Sequence, residues 1–354
     1  MQNTWCGEHP VLVEDLSSIV SDAVIPWGNL SGKRILVTGS TGLIGATLVK
    51  TLLYRADKYG EDIAVLACAL SLSEAETVFS RQRAFIGKTL FFVENDVRNP
   101  MPEELQADFI IHAASPTASA YFTEKPVDTI VTAVEGTRNL LEFARGCNAR
   151  GMVFLSSMEV YGKLDHELAA ESDSGYLDPL LIRNSYPQGK RLAESLCAAY
   201  AAQYGIPVKI CRLTQTFGPG ASPTDNRVFM QFARAVKQGR DIVLHTSGGT
   251  TRDYLYTADA ARGILSVLLL GEPGTAYNLS NQESNISILD MARLCASLNP
   301  EHVHVVFDCS RENQKHYLSE IHISLDGARL AALNSFPKVP LREMFERMLA
   351  VTEF

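Results

Sequence analysis

Residues 35–45 read ILVTGSTGLIG, with glycines at Gly39, Gly42 and Gly45 behind a run of apolar side chains. An apolar run this short reads as a buried strand, and Leu43–Lys58, with its 3.6-residue periodicity, reads as the helix that follows. Each glycine then has a distinct use. Gly39 permits the tight turn, Gly42 lets a pyrophosphate approach the backbone, and Gly45 lets helix and strand pack closely. The helix start presents free N–H groups to negative charge. Gly39, Thr41, Gly42, Leu43, Ile44 and Gly45 are therefore the expected contacts to a dinucleotide. A glycine-rich turn without ligand is the plain alternative. The strand before it and the helix after it favour the phosphate.

The rest of the chain continues the alternation of short apolar runs with longer amphipathic stretches, which predicts an α/β fold. The expected architecture is a Rossmann doubly wound parallel sheet with a smaller C-terminal substrate-binding lobe. Strands are predicted at Lys33–Gly39, Asp62–Leu70, Leu90–Val93, Ala107–Ala113, Met152–Ser156 and Val208–Leu213. Helices are predicted at 10–24, 43–58, Val127–Cys147, Tyr186–Tyr204, 227–239, 257–270 and 340–350. Val127, Ile130, Val131 and Val134 share one face of their helix. Past about residue 215 the pattern loosens, and Gly218, Pro219, Gly220 and Pro223 mark loops. The predicted division is an N-terminal extension over 1–32, a dinucleotide-binding domain over 33–215, and a lobe over 216–354 that returns some segments to the first domain. The cleft between the two is the expected ligand site.

Composition bounds the partners. In 354 residues with 46% hydrophobic and 20% charged side chains, a sizeable core is expected. A net charge of −8 argues against nucleic acid or an anionic membrane surface as partner. A local arginine cluster can still hold a small anion. The seven cysteines, Cys6, Cys68, Cys147, Cys197, Cys211, Cys295 and Cys309, are widely spaced without CxxC. Buried reduced thiols are expected, not disulfides or a metal site. The first residues, MQNTWCGEHPVLVEDL, lack the pattern of a signal peptide, and no run of 18 apolar residues occurs. The expected location is cytoplasmic.

Tyr186 and Lys190 form Tyr-x-x-x-Lys, which places both on one helix face. Pro187 fits the first helical turn. A nearby ammonium stabilises a phenolate and makes tyrosine a usable base. Many chains of this size contain such a pair by chance; its place after the fifth strand gives it weight. Residues 155–162, LSSMEVYG, end that strand, beyond whose tip ligands bind. Ser157 is placed to hydrogen-bond a reacting hydroxyl with Tyr186, and Glu159 to act as a carboxylate base. Both would otherwise simply cap the turn. The second strand ends Ala69-Leu70-Ser71 with no clear acid for an adenosine ribose, so NAD and NADP both stay open. Asp96 is placed to accept a bond from an adenine amino group, or to cap a turn.

At TGSTGLIG, NDVRN, IIHAASP, SSMEVYG, YPQGKRLAE, TFGPG and RDYLYTAD the chain resembles the NAD-dependent epimerase/dehydratase family, the extended short-chain dehydrogenases. The resemblance runs from about residue 33 to 350. It implies Ser157, Tyr186 and Lys190 as the catalytic set, with Glu159 added as in decarboxylases and 4,6-dehydratases. It places Asp96 and Val97 at the adenosine end of the cofactor and Ala113, Ala114 and Ser115 at the nicotinamide end. It makes Pro116, Gln215, Arg227, Val228 and Arg252 contacts to a nucleotide-diphosphate sugar. For Arg227 and Arg252 the plain alternative is a solvated surface charge. HAASPTASAYFTEKPVDTI and RNSYPQGKRLAE look most like the UDP-glucuronate decarboxylases. Met158 stands where dTDP-glucose 4,6-dehydratases have Asp and decarboxylases Ser. A thioether cannot donate a proton, so loss of a hydroxyl assisted from that position is disfavoured. The implied function is oxidation at sugar C4, with decarboxylation first. A 4-epimerase, a 4,6-dehydratase, an NAD(P)H-dependent reductase and a non-catalytic dinucleotide sensor remain as alternatives. A homodimer built from helices 127–147 and 186–204, and a role in surface polysaccharide synthesis, are implied in the same way.

Overall fold

The structure, a computed structural model, describes Trp5, residues 7–308 and residues 320–354. Its large sheet contains β1 (Lys33–Thr38), β2 (Ile63–Ala69), β3 (Leu90–Glu94), β4 (Phe109–His112) and β5 (Gly151–Ser157), together with β7 (Val208–Leu213) and β11 (Ala276–Leu279). The order is β11-β7-β5-β4-β1-β2-β3, and every neighbouring pair is parallel. The chain leaves β1 for β2 and β3 on one side and then crosses back to β4 on the other. That reversal opens a crevice beyond the tips of β1 and β4, the usual ligand position in such sheets.

Alternation along the strands explains the layers. Ile35, Val37, Val65, Ala67, Ile111 and Val153 enter one core, while Leu36, Leu66, Cys68, Ile110, Met152 and Phe154 enter another. A strand buried on both faces has no polar side and reads as an unbroken apolar run. The first core packs under α1 (Pro10–Val20), α2 (Leu43–Tyr59) and α8 (Thr257–Leu270). The second packs under α5 (Pro126–Gly146) and α6 (Ser185–Tyr204), joined to β4 by the short α4 (Ser119–Glu124). A further short helix, α3 (Leu72–Val78), follows β2, and α7 (Val228–Lys237) follows β8 (Gln215–Phe217). The apolar stripe of α5 does not all face inward. Val127 and Ile130 are exposed, as is Leu192 on the adjacent α6.

The later third holds more strand than its periodicity predicts. β8 (Gln215–Phe217), β10 (Thr251–Tyr256), β12 (Asn281–Ser287) and β14 (His322–Leu325) form a second sheet with β6 (Leu168–Ala169), while β9 (Ile242–Leu244) pairs with β13 (Val305–Phe307). Helices α9 (Ile288–Ala296), α10 (Ala328–Ala332) and α11 (Leu341–Val351) complete it. These strands are two to seven residues long, and pairs such as Arg252↔Ile323 join distant segments, so no local repeat announces them. Cys68, Cys197, Cys211 and Cys295 are buried free thiols and Cys147 is half-buried. Cys6 and Cys309 lie outside the described residues. Among the described residues no helix is long and apolar enough to cross a membrane, and no group of metal-binding side chains occurs.

Residues ahead of β1 are built into the core. Leu16, Ile19, Val20, Trp27 and Leu30 are buried, and the Trp5 ring meets Tyr54 of α2 edge-on at 5.0 Å. Arg262 of α8 is buried between Asp22, at 3.0 Å, and Asp259. Asp15 accepts from the Tyr256 hydroxyl at 2.6 Å and from Arg347 at 3.1 Å, with Asp259 and Glu14 as nearby negative charges. Burial pushes the Asp15 carboxyl up from 3.8 to about 6, against the pull of Tyr256 and Arg347. A folded-state pKa above the unfolded value contributes stability that is full below about pH 4 and lost as pH rises through about 6. Asp15→Asn should therefore gain on the wild type by about 2–3 kcal/mol between pH 4 and 7. Urea unfolding at the two pH values measures it, and a pH-independent difference would refute the assignment.

Candidate active site

The first glycine turn is closed on two sides. Gly39 has φ +64°, and a Cβ there would lie 2.8 Å from the backbone of Ala114. A Cβ on Gly45 would lie 2.1 Å from the Gly39 carbonyl oxygen. Gly42 is the N-cap of α2, and a Cβ there would meet only the Gly39 oxygen at 3.4 Å. No side chain caps this helix and its first turn holds no acid, so the N–H groups of Leu43, Ile44 and Gly45 start α2 in a positive field. Thr41 lies in the turn itself. Ser40 donates to the Cys68 carbonyl at 3.0 Å and ties the turn to β2.

Across the crevice, the Ala114 N–H donates to the Thr38 hydroxyl, which lies 2.9 Å from the His112 ring. Burial and the Lys190 charge push the His112 pKa down to about 3, so the ring is neutral. Ser115 and Pro116 continue this segment, with the Ser115 hydroxyl 3.2 Å from the Pro116 carbonyl. Behind the tips of β2 and β3, Asp96 is held by Arg98 through its side chain and caps the turn through the Arg98 N–H. Val97 is buried under Gly136 of α5. Ser71 caps α3 and its hydroxyl lies 2.8 Å from that of Ser73.

At the tip of β5, Ser157, Glu159 and Tyr186 meet. The Ser157 oxygen accepts from the Glu159 N–H at 3.2 Å, and the same hydroxyl is close enough to the Tyr186 phenol to pull its pKa down. Tyr186 is buried and its ring stacks on Phe122, centroids 4.2 Å apart. Lys190 lies one turn on, as the spacing predicts. Its ammonium sits 5.8 Å from the Tyr186 ring centroid and 4.6 Å from that of Phe154, and donates to the Leu155 carbonyl at 2.7 Å. Burial lowers the Lys190 pKa to about 8, opposed by Glu194. Glu194 is held by Arg212 at 2.7 Å and by Ser156 at 2.5 Å.

One expectation changes at this point. The phenol is pushed above its ordinary pKa, not below it, first by burial and then by Glu159. Ser157, Arg183 and Arg227 pull it down, and Lys190 is placed under the ring instead. Arg183 was not visible from the sequence as a site residue. It forks onto Glu159, 3.0 and 3.2 Å from its two oxygens. Only the Tyr-x-x-x-Lys register, which puts Arg183 three residues before Tyr186, could have signalled it.

Of the remaining candidates, Arg227 is close enough to act on the phenol. Arg227 begins α7 and pairs with Asp225 at 2.6 Å, with Val228 next to it. Arg252 lies on β10, and its Nε is buried without a hydrogen-bond partner. Gln215 opens β8 and pairs with Tyr254 on β10. Met158 is buried among Val160, Tyr161, Ile323 and Leu325, where it offers no proton.

The fold and this cluster define a doubly wound parallel sheet with a buried tyrosine, a serine and a carboxylate gathered at one strand tip. The profile of the NAD dependent epimerase/dehydratase family matches residues 35–280, and the chain belongs to that family. UDP-glucuronic acid decarboxylase 1 of Danio rerio is 31% identical over 280 residues, covering 78% of this chain but 63% of that protein. UDP-glucuronic acid decarboxylase 6 of Arabidopsis thaliana is 32% identical over 252 residues, 71% of this chain and 70% of that protein. The chain thus matches somewhat under two thirds of the length of the first of these relatives. Among solved structures, the dTDP-glucose 4,6-dehydratase DesIV of Streptomyces venezuelae, with NAD and TYD bound, superposes with TM-score 0.73 at 26% identity, covering 89% of this chain and 95% of that one. UDP-glucuronic acid 4-epimerase of Bacillus cereus shares the fold with TM-score 0.74 at 21% identity, covering 89% of this chain and 98% of that one.

Gly45→Ala should force α2 away from β1 and cost about 1–3 kcal/mol. With about 2.1 cal/mol/K of unfolding entropy per residue, the thermal midpoint should fall by about 1–4 °C, and an unchanged midpoint would show that the contact is not tight.

Proposed function

We propose that this chain is an NAD-dependent nucleotide-sugar enzyme that oxidises sugar C4, and that it decarboxylates UDP-glucuronate. The observation that carries this reading is the convergence of Ser157, Glu159 and Tyr186 at the tip of β5, two strands along from the glycine turn of β1.

The cradle fits a dinucleotide: Gly42 leaves the start of α2 open, and no acid opposes a phosphate there. Gly39, Thr41, Gly42, Leu43, Ile44 and Gly45 would hold the phosphates, Asp96 and Val97 the adenosine end, and Ala113, Ala114, Ser115, Tyr186 and Lys190 the nicotinamide end. When bound, the group supplies reversible hydride acceptance from C4. NAD is favoured over NADP because the solved relatives above that carry a dinucleotide carry NAD.

In this reading Tyr186 takes the proton of the sugar 4-hydroxyl, which Ser157 orients. Lys190, buried under the ring, keeps positive charge in the site below about pH 8. The partner-free Nε of Arg252, with Arg227, Gln215, Val228 and Pro116, would receive the nucleotide diphosphate. With a ketone at C4, the C5–C6 bond of the uronate breaks, its electron pair enters the C4 carbonyl as an enolate, and CO2 leaves. A proton then adds at C5 and the hydride returns to C4. No protein acid is needed for this loss, which accords with Met158.

The exposed Val127, Ile130 and Leu192 on α5 and α6 support a homodimer through these helices. Light scattering should give twice the chain mass, and Leu192→Glu should halve it; a wild-type monomer would end this part of the reading. Buried reduced thiols accord with a cytoplasmic location.

Purified protein given UDP-glucuronate should release CO2 with no net consumption of NAD. Tyr186→Phe should lower turnover at least about 100-fold, as loss of a general base does, while dinucleotide stays bound. A C4 epimer as the product, with no CO2, would make the chain an epimerase. Steady oxidation of added NADH would make it a reductase.

A further inference from the structure

Two cations stand near the Tyr186 phenol, Arg183 and Arg227, and they are held differently. Arg227 pairs with Asp225, two residues before it in the same loop, and that partner travels with it. Arg183 reaches across to the tip of β5, where both its terminal nitrogens face both Glu159 oxygens. The guanidinium also lies over the Phe122 ring, 5.0 Å from its centroid, and Phe122 in turn stacks on Tyr186. The aromatic contact fixes the fork beside the phenol. Its carboxylate partner is a separate side chain on another element. The two side chains keep 28% and 29% of their surface open, so the pair is reachable from solvent.

We propose that Arg183 is the receptor for the sugar carboxylate of the substrate, and that Glu159 occupies its place until the sugar arrives. This rests on the nucleotide-uronate reading above. A sugar presenting its C4 hydroxyl to Tyr186 and Ser157 carries its C5 substituent one ring atom away, and Arg183 is a cation close enough to act on that phenol. Replacing one carboxylate by another leaves the guanidinium paired throughout, while the displaced Glu159, whose side chain keeps 29% of its surface open, turns its charge to solvent. A hydroxymethyl group cannot make that exchange, because it offers neither charge nor two acceptor oxygens. The pair therefore reads charge at C5. The grip must also be released, since an ion pair stabilises the carboxylate and not the neutral CO2 it becomes. Glu159 stands ready to take Arg183 back as the C5–C6 electron pair moves into the C4 carbonyl.

The test measures dissociation constants of UDP, UDP-glucose and UDP-glucuronate for the NAD-loaded wild type, Arg183→Met and Glu159→Gln, by calorimetry. The wild type should prefer UDP-glucuronate to UDP-glucose. Arg183→Met should reduce that preference by roughly 10- to 100-fold, as loss of a charged hydrogen-bonded pair does. Its affinity for UDP should hold. Glu159→Gln removes the competitor, so it should bind UDP-glucuronate more tightly than the wild type and UDP-glucose unchanged. A merely structural Arg183–Glu159 pair would make both variants lose affinity for all three ligands, and that result overturns the proposal. So does a Glu159→Gln protein with no gain for UDP-glucuronate. If UDP binds throughout and only the discrimination fails, this inference alone falls. If the wild type binds neither UDP nor UDP-glucuronate, the nucleotide-sugar reading falls with it.

Discussion

The contact between the Gly45 backbone and the Gly39 carbonyl, where no side chain fits, sets the geometry of the whole crevice. It brings α2 onto the tip of β1, and the same turn presses Gly39 against Ala113 and Ala114 beyond β4. Two neighbouring strand tips are thereby locked together at the one place where strand order reverses. Close packing transmits such constraints, because an interior at crystal density has no slack to absorb a methyl group.

The chemistry sits one strand further along and depends on charge balance rather than fit. Burial alone would leave Tyr186 a poor base, and Glu159 worsens it. Arg183 and Arg227 oppose both effects, and Lys190 sits below the ring with its charge supported by Glu194. Glu194 is in turn fixed by Arg212 and Ser156, so a buried network beneath the site stands behind its electrostatics. Partners of this kind matter because a half-satisfied buried charge is costly in a low dielectric.

The segment ahead of β1 belongs to the same mechanical unit. Trp5 braces α2, the helix that follows the glycine turn, and Asp15 holds Tyr256 at the end of the strand that bears Arg252. One short stretch thus ties α2 to the second sheet. Its periodicity showed a helix over its central part, but nothing in the sequence showed where that helix would dock.

Local patterning was enough to read the parallel sheet, its helices, the three-glycine turn and the register of Tyr186 with Lys190. All of these follow from local rules: period-2 and period-3.6 burial, and spacing along one helix. Tertiary structure alone decided the rest. The short strands after residue 215 pair with segments far away in the chain, and Val127 and Ile130 face outward although their spacing marks an apolar stripe. Asp96 proved to be held by Arg98, and Glu159 by Arg183 across two elements. The phenol's pKa direction reversed because burial and a carboxylate outweigh Ser157 and the two arginines that oppose them. Spacing fixes which side chains lie on a face, while the depth of burial and the charges arriving from other elements exist only after the chain has folded.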